Sequence, residues 1–207
     1  MRCLVPVAVN SPKSRLAPVL SLNERQTFAH AMLADVLSTL TTAGYHPTVL
    51  ATAPVDDDRI ANHATVEVDD RPLSAALNAQ LAGGKPTLVV MADLPLVKPQ
   101  DITELAESDA DVTIAPGLGG GTNALAIREP SFRVDYHGAS YLDHCRAADN
   151  LGATVETVDS RRLATDIDEP ADLTELLIHG DGAAHEWLTG AGFELDTTDG
   201  RVGISRR

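Results

Sequence analysis

PTLVVMADLPLV, residues 86–97, contains an unbroken apolar stretch that stops at a carboxylate. Leu88, Val89, Val90, Met91 and Ala92 leave no polar position to face water. Strands of that kind belong to parallel sheets covered by helices on both faces. Asp93 follows at once, at the carboxyl end of the strand, where open α/β sheets place their ligands. A carboxylate there either holds a hard cation such as Mg2+ or caps the turn into LPLVKP, and both readings stay open.

The segments on either side alternate in type. RCLVPVAV, HPTVLAT, TVEVDD, DVTIAPG, NALAIRE and ATVETVD read as further strands. Ser21 and Glu24 have the spacing of a capping box. Phe28, Met32, Leu33, Val36, Leu37 and Leu40 then form a helical stripe that ends at Gly44. Helices are also expected in PLSAALNAQLAGG, KPQDITELAES, YHGASYLDHCRAADNLG, the later part of TDIDEPADLTELLIHG, and GAAHEWLTGAG. VDDDRIANHA reads as an exposed loop or short helix, and FELDTTDGRVGIS as a hairpin turning at Asp199-Gly200. The alternation predicts an α/β fold with a mostly parallel central sheet and helices on both faces. One domain is expected over residues 1–207, ending in a helix and hairpin from about residue 180.

The 207 residues, 43% of them hydrophobic, suffice for one core. Thirty acidic against 16 basic residues give a net charge of -14, and the lysines are Lys13, Lys85 and Lys98 alone. Such a surface argues against nucleic-acid or anionic-membrane partners and fits a salt-rich cytoplasm. Cys3 and Cys145 form no CxxC, and the seven histidines form no HxxxH, so neither disulfide nor zinc site is expected. The opening MRCLVPVAVNSPKSRL is too short in apolar residues for a signal peptide, and no stretch reaches spanning length.

Four further stretches carry candidate chemistry. Lys13 and Arg15, in the loop NSPKSR after the first strand, suit a polyphosphate or simply a solvated turn. In TDIDEP, Asp166 and Asp168 share one side if the segment is extended. Two such carboxylates repel unless a cation or proton joins them; alternatively, Asp168 or Glu169 caps the following helix. APGLGGGTNALAI, residues 115–127, nearly matches the dinucleotide fingerprint. That fingerprint needs a helix after it, and here a strand follows. The remaining use is close backbone approach at Gly120 and Gly121, with Thr122 and Asn123 hydrogen-bonding a ligand. In YHGASYLDHC, Ser140 stands near a helix start, as an anion contact or an ordinary N-cap. His137 and His144 share a helix face only if the helix begins before His137, and neither is assigned to a metal. Cys145 reads as core packing.

Taken in order, KSRLAPVLSLNERQTFAHAMLADVL, VVMADLPLV, APGLGGGTNAL, YHGASYLDHC and TDIDEPADLTELLIHGDGAAHEW resemble the archaeal 2-phospho-L-lactate guanylyltransferases, called CofC, of coenzyme F-420 biosynthesis. The resemblance covers nearly the whole chain, and GGGTNAL and TDIDEP are its most specific parts. It implies a Rossmann-like nucleotidyltransferase fold of the nucleotide-diphospho-sugar transferase type. It implies transfer of GMP from GTP to 2-phospho-L-lactate, or to phosphoenolpyruvate in related enzymes, with release of pyrophosphate. The implied Mg2+ ligands are Asp93, Asp166 and Asp168. The implied acceptor-phosphate contacts are Thr122, His137 and Ser140, and the nucleotide-phosphate loop is Lys13 to Arg15. Two positions depart from the pattern: Ala8 stands where relatives often have lysine, and His137 where many have glycine. A different phosphorylated acceptor, or a nucleotide-binding module without catalysis, remains the alternative. The terminal hairpin either pairs across a homodimer or covers its own sheet edge.

Overall fold

The computed structural model describes residues 1–198, 200 and 202–207. In chain order its elements are β1 (Arg2–Val7), α1 (Leu22–Thr42), β2 (Pro47–Ala51), α2 (Asp58–Ala61), β3 (Thr65–Val68), α3 (Leu73–Leu81), β4 (Thr87–Val90), α4 (Pro99–Glu107), β5 (Val112–Pro116), β6 (Thr122–Ile127), α5 (Ser140–Asn150), β7 (Val155–Thr157), α6 (Arg161–Ala164), α7 (Asp172–His179), α8 (Ala183–Gly190), β8 (Phe193–Asp196) and β9 (Gly203–Arg206), with a 3-10 turn at Ser14–Leu16. The α/β expectation holds. The central sheet has the order β3-β2-β1-β4-β6-β5-β7, and β6 alone runs against its neighbours.

The apolar stretch at 86–97 supplies β4, whose four residues are all buried. Leu88 and Val90 join Leu33, Leu37 and Ile102 on one face, while Val89 joins Leu77, Leu81, Val112 and Phe132 on the other. Both faces are therefore dry, which is why the strand shows no polar alternation. Helix α1 is buried on two sides. Leu33, Val36, Leu37 and Leu40 meet the sheet, and Phe28, Ala31 and Met32 meet Leu173, Leu176, Ala184, Leu188 and Phe193 of the C-terminal elements. A helix between two layers needs apolar residues beyond a single stripe.

The hairpin differs from expectation. Strands β8 and β9 pair only with each other, in a separate two-stranded sheet, so they cover no edge of the central one. Phe193 instead fills the core shared with α1, and Arg206 lies over its ring at 4.9 Å. The expected Asp199-Gly200 turn falls partly outside the described residues, since Asp199 is not among them. Helix α6 was not foreseen, because four residues are too few to show a period; Ser160 caps it at the Leu163 amide. Among the described residues, no helix is long and apolar enough to cross a membrane.

Parallel order brings the carboxyl ends of β1, β4 and β5 to one rim, and the reversed β6 begins there. The rim is where all later chemistry lies.

The expected capping box forms, with the Ser21 amide donating to Glu24 Oε2 at 2.8 Å. Arg206 reaches the same carboxylate and ties the hairpin to α1. The Arg206 contact, then the Ser21 donors, hold the Glu24 carboxyl down at about 2, against an ordinary 4.5. Because the folded value is the lower one, this stabilisation is complete above the ordinary value and is lost as pH falls towards about 2. Glu24→Gln is therefore expected to cost about 1 kcal/mol at neutral pH. Denaturant titrations across pH should show that cost shrinking to nothing in acid; a pH-independent cost would contradict the pairing.

Candidate active site

After β1 the chain turns sharply, and Lys13 adopts φ 53°, the one non-glycine residue at positive φ among those described. This conformation costs a side-chain-bearing residue about 1–2 kcal/mol. It is held by the Leu16 amide, which donates to the Lys13 carbonyl at 3.0 Å, and by Arg25, which donates to the Pro12 carbonyl at 3.1 Å. The result is to aim the Lys13 ammonium inward, at 2.5 Å from Asp93 Oδ2 and 3.3 Å from Asp168 Oδ1. Burial alone would lower the Lys13 pKa; Asp93 first and Asp168 second outweigh it and raise it. Arg15 stays at the surface and donates to Asp168 Oδ2 at 2.8 Å.

The acidic segment reaches this point by strand-like alternation. Ile167 is fully buried in the core between α1 and α7, and its amide donates to the Asp93 carbonyl at 3.0 Å. Its neighbours Asp166 and Asp168 therefore project to the opposite side, beside Asp93. Asp166 accepts from Asn123 Nδ2 at 3.1 Å. Burial raises its pKa; the Asn123 bond opposes this and nearby Asp93 adds to it. The alternative of Asp168 or Glu169 as a helix cap is corrected. The chain bends at Pro170, so that Asp172 Oδ2 accepts from the Asp168 and Glu169 amides at 2.9 and 2.7 Å. These bonds tie the preceding turn to the first residue of the helix, whose N-cap Ala171 offers no side-chain cap, and the Asp168 carboxylate is left for the two cations.

The glycine stretch forms the turn between β5 and β6. The Gly117 amide donates to the Gly121 carbonyl and the Gly120 amide to the Gly117 carbonyl, both at 3.0 Å. Gly120 needs its φ of +81°, and a Cβ on Gly117 would lie 2.7 Å from Asn123 Oδ1. At Gly119 and Gly121 a Cβ would meet nothing within 4 Å. The protein itself therefore demands two of these glycines and leaves the other two facing open space.

Thr122 and Asn123 do not act as one ligand-binding pair, because neighbours in a strand face opposite sides. Asn123 donates to the Leu163 carbonyl at 2.9 Å and to Asp166, so it positions a carboxylate. Thr122 turns to α5, where its hydroxyl meets His144 Nδ1 at 2.9 Å and accepts from Ser140 at 3.3 Å. Ser140 is the first residue of α5 rather than its N-cap, which is Ala139. His137 lies before α5, exposed, with its ring on Asp135 at 2.5 Å and its pKa raised by that bond. Its side chain is exposed, whereas Thr122 and Ser140 are buried. His144, unassigned from sequence, is fully buried in this group. The available signal was its spacing of four from Ser140, which puts both on one helix face.

Two cavities meet at the rim. One, of about 180 Å³, is lined by Lys13, Asp93 and Asp168. The other, of about 450 Å³, is largely apolar and lined by Leu50, Leu73 and Ala76, with Asp69 and Arg71 at its edge. Pro6, Val7, Ala8 and Met91 line both. The cleft thus has a charged end and an apolar end, with Ala8 at the junction. Asp93, Asp166 and Asp168 are hard oxygen donors, and Asp93 Oδ1 is buried without a hydrogen-bond partner. That chemistry suits Mg2+. The three are not drawn into a closed ligand set among the described residues; the Lys13 ammonium lies between Asp93 and Asp168 instead.

A mostly parallel sheet with a central strand-end aspartate, a neighbouring acidic segment and a cationic loop after β1 defines a nucleotidyltransferase. Solved structures share the fold. A nucleotidyl transferase from Methanothermobacter aligns over 91% of this chain and 99% of its own, with TM-score 0.59 and 17% identity. A cytidylyltransferase from Leptospira borgpetersenii aligns over 91% and 90%, with TM-score 0.55 and 12% identity. The family model described as "Guanylyl transferase CofC like" matches residues 1–207, and the chain belongs to that family. Relatives named 2-phospho-L-lactate guanylyltransferase include those of Halomicrobium mukohataei, 54% identical over the whole of both chains, and Methanosarcina mazei, 46% identical over 99% of each.

Two alanine substitutions separate the glycines. Gly117→Ala is expected to displace Asn123 from Asp166 and to cost about 1–3 kcal/mol by overpacking, whereas Gly119→Ala leaves the melting temperature unchanged. Differential scanning calorimetry of both variants checks this, and equal losses would contradict it.

Proposed function

We propose that this cleft transfers GMP from GTP to 2-phospho-L-lactate, giving lactyl-2-diphospho-5'-guanosine and pyrophosphate. The observation that carries the reading is the lysine set among carboxylates at the mouth of an apolar slot. A nucleoside triphosphate has that same polarity, with an apolar base at one end and phosphates at the other. Family membership and the relatives' names support the guanine nucleotide and the phosphorylated acceptor. The acidic, lysine-poor surface supports a salt-rich cytoplasm as the setting.

The acceptor's phosphate oxygen attacks the α-phosphorus of GTP in line; the new P–O bond forms as the bond to the β-phosphate bridging oxygen breaks, and pyrophosphate leaves with that electron pair. The acceptor is already ionised, so no side chain needs to remove a proton. The chain's task is placement and charge. Lys13 and Arg15, held now by carboxylates, exchange them for phosphate oxygens and steady the leaving group. Asp93, Asp166 and Asp168 would hold Mg2+. When bound, that ion supplies positive charge between the two anionic reactants. Asn123 fixes Asp166, and the buried Ile167 fixes the whole acidic segment. Thr122 and Ser140, at the rim where β6 begins, receive the acceptor's phosphate.

Asp93→Asn is expected to lower kcat by about 10²–10³-fold or more, as losing a single electrostatic contact does, with the melting temperature nearly unchanged. Chelation should stop pyrophosphate release, and Mg2+ should restore it. Near-normal turnover of the purified variant, or turnover in excess chelator, would refute the metal role. Thr122→Val should raise the KM for the acceptor more than that for GTP in steady-state assays; equal effects would misplace the acceptor.

A further inference from the structure

We infer that His144 is a positioning residue that commits the Thr122 hydroxyl to donate, rather than accept, a hydrogen bond at the acceptor site. The inference rests on the proposed reading of Thr122 and Ser140 as contacts to a phosphate group.

One group in the cluster has a fixed polarity. The Asp135 backbone amide can only donate, and it does so to His144 Nε2 at 3.0 Å. That nitrogen therefore carries a lone pair, and the ring's single proton sits on Nδ1. Nδ1 lies 2.9 Å from Thr122 Oγ1, so the ring donates and the threonine oxygen accepts. Ser140 Oγ donates to the same oxygen from 3.3 Å. With two incoming donors, the Thr122 oxygen has spent its acceptor capacity. Its own proton has to go to a third group.

The ring cannot easily escape this role. It is fully buried, edge-on to Tyr136 at 5.0 Å and tilted against Phe132 at 5.9 Å. The charged groups nearest it, Asp135 and Asp143, favour the imidazolium, but burial dominates and lowers the pKa to about 4, so the ring is neutral at neutral pH. A neutral ring with a fixed tautomer passes the polarity of a backbone amide through a side chain to a hydroxyl. Phosphate oxygens accept and do not donate when ionised, so a hydroxyl held as a donor fits them and rejects a donor group at the same place.

Two substitutions separate the ring's two bonds. In His144→Asn the amide nitrogen stands near the former Nδ1 and keeps a donor to Thr122. In His144→Gln the amide oxygen stands near the former Nε2, keeping the Asp135 bond and losing that donor. His144→Gln is expected to raise the KM for 2-phospho-L-lactate about tenfold, the loss of one buried hydrogen bond, with the KM for GTP largely unchanged; His144→Asn restores most of it. A merely structural histidine would move both KM values together in both variants, and that result overturns the inference. Nitrogen-detected NMR of the unsubstituted protein gives a test that needs no variant: Nδ1 protonated and Nε2 unprotonated at neutral pH is expected, and the opposite tautomer or an imidazolium overturns the proposal. Thr122→Val distinguishes the two layers. If it leaves acceptor use unchanged, the acceptor-site reading fails; if it impairs acceptor use and His144→Gln does not, the positioning role alone fails.

Discussion

The site depends on one lysine holding acidic side chains together at the sheet's rim. Asp93, Asp166 and Asp168 contribute three negative charges, and Lys13 and Arg15 return two, which leaves one negative charge in excess. Like charges near a protein surface repel by about 4 kcal/mol at 4 Å for an effective dielectric of 20, so the cluster cannot close without a cation. The inward aim of Lys13 is a consequence of that need. Its left-handed backbone costs about 1–2 kcal/mol, while the contact to Asp93 at 2.5 Å and the second to Asp168 raise its pKa despite burial. An arriving triphosphate would add several more negative charges to a region already in excess.

The reversal of β6 divides the rim into two compartments. Because the strand has a period of two, Thr122 and Asn123 serve different sides. Asn123 looks to Leu163 and Asp166, on the side of the carboxylates. Thr122 looks to α5, where Ser140 and His144 wait. A parallel strand in the same place would bring its carboxyl end to the rim, and the glycine turn could not lead directly into it from β5. The reversed strand thus lets one short stretch, 117–123, carry a tight turn, a carboxylate support and a hydroxyl facing α5. It also explains why so many glycines occur together: Gly117 gives way to Asn123, Gly120 supplies positive φ, and Gly119 and Gly121 leave space uncovered.

Much of this was legible from residues alone, for a physical reason. An unbroken apolar stretch ending in aspartate needs only burial on two faces to be read correctly. The capping box at Ser21 and Glu24 is local, as is the alternation Asp166–Ile167–Asp168. What stayed hidden depends on partners distant in sequence. His144 gains its role from Asp135 and Thr122, which share its surroundings only after α5 docks on β6. The Asp172 carboxylate turns back on preceding amides because Pro170 bends the chain, and helical propensity does not express that. His137 was named by similarity alone, and its exposed ring meets Asp135, two residues before it.

Incomplete interactions point to where a ligand would complete them. Asp93 Oδ1 is a buried acceptor without a donor, Lys13 holds a strained backbone, and Asp166 is a carboxylate whose ionised form burial disfavours. Each is unfavourable for the empty fold. Buried polar atoms are ordinarily satisfied, so the unpartnered Asp93 oxygen at this strand end is not what stability alone would select. A cation at this strand end would give Asp93 Oδ1 a partner and favour the ionised form of Asp166, leaving the Lys13 backbone as it is.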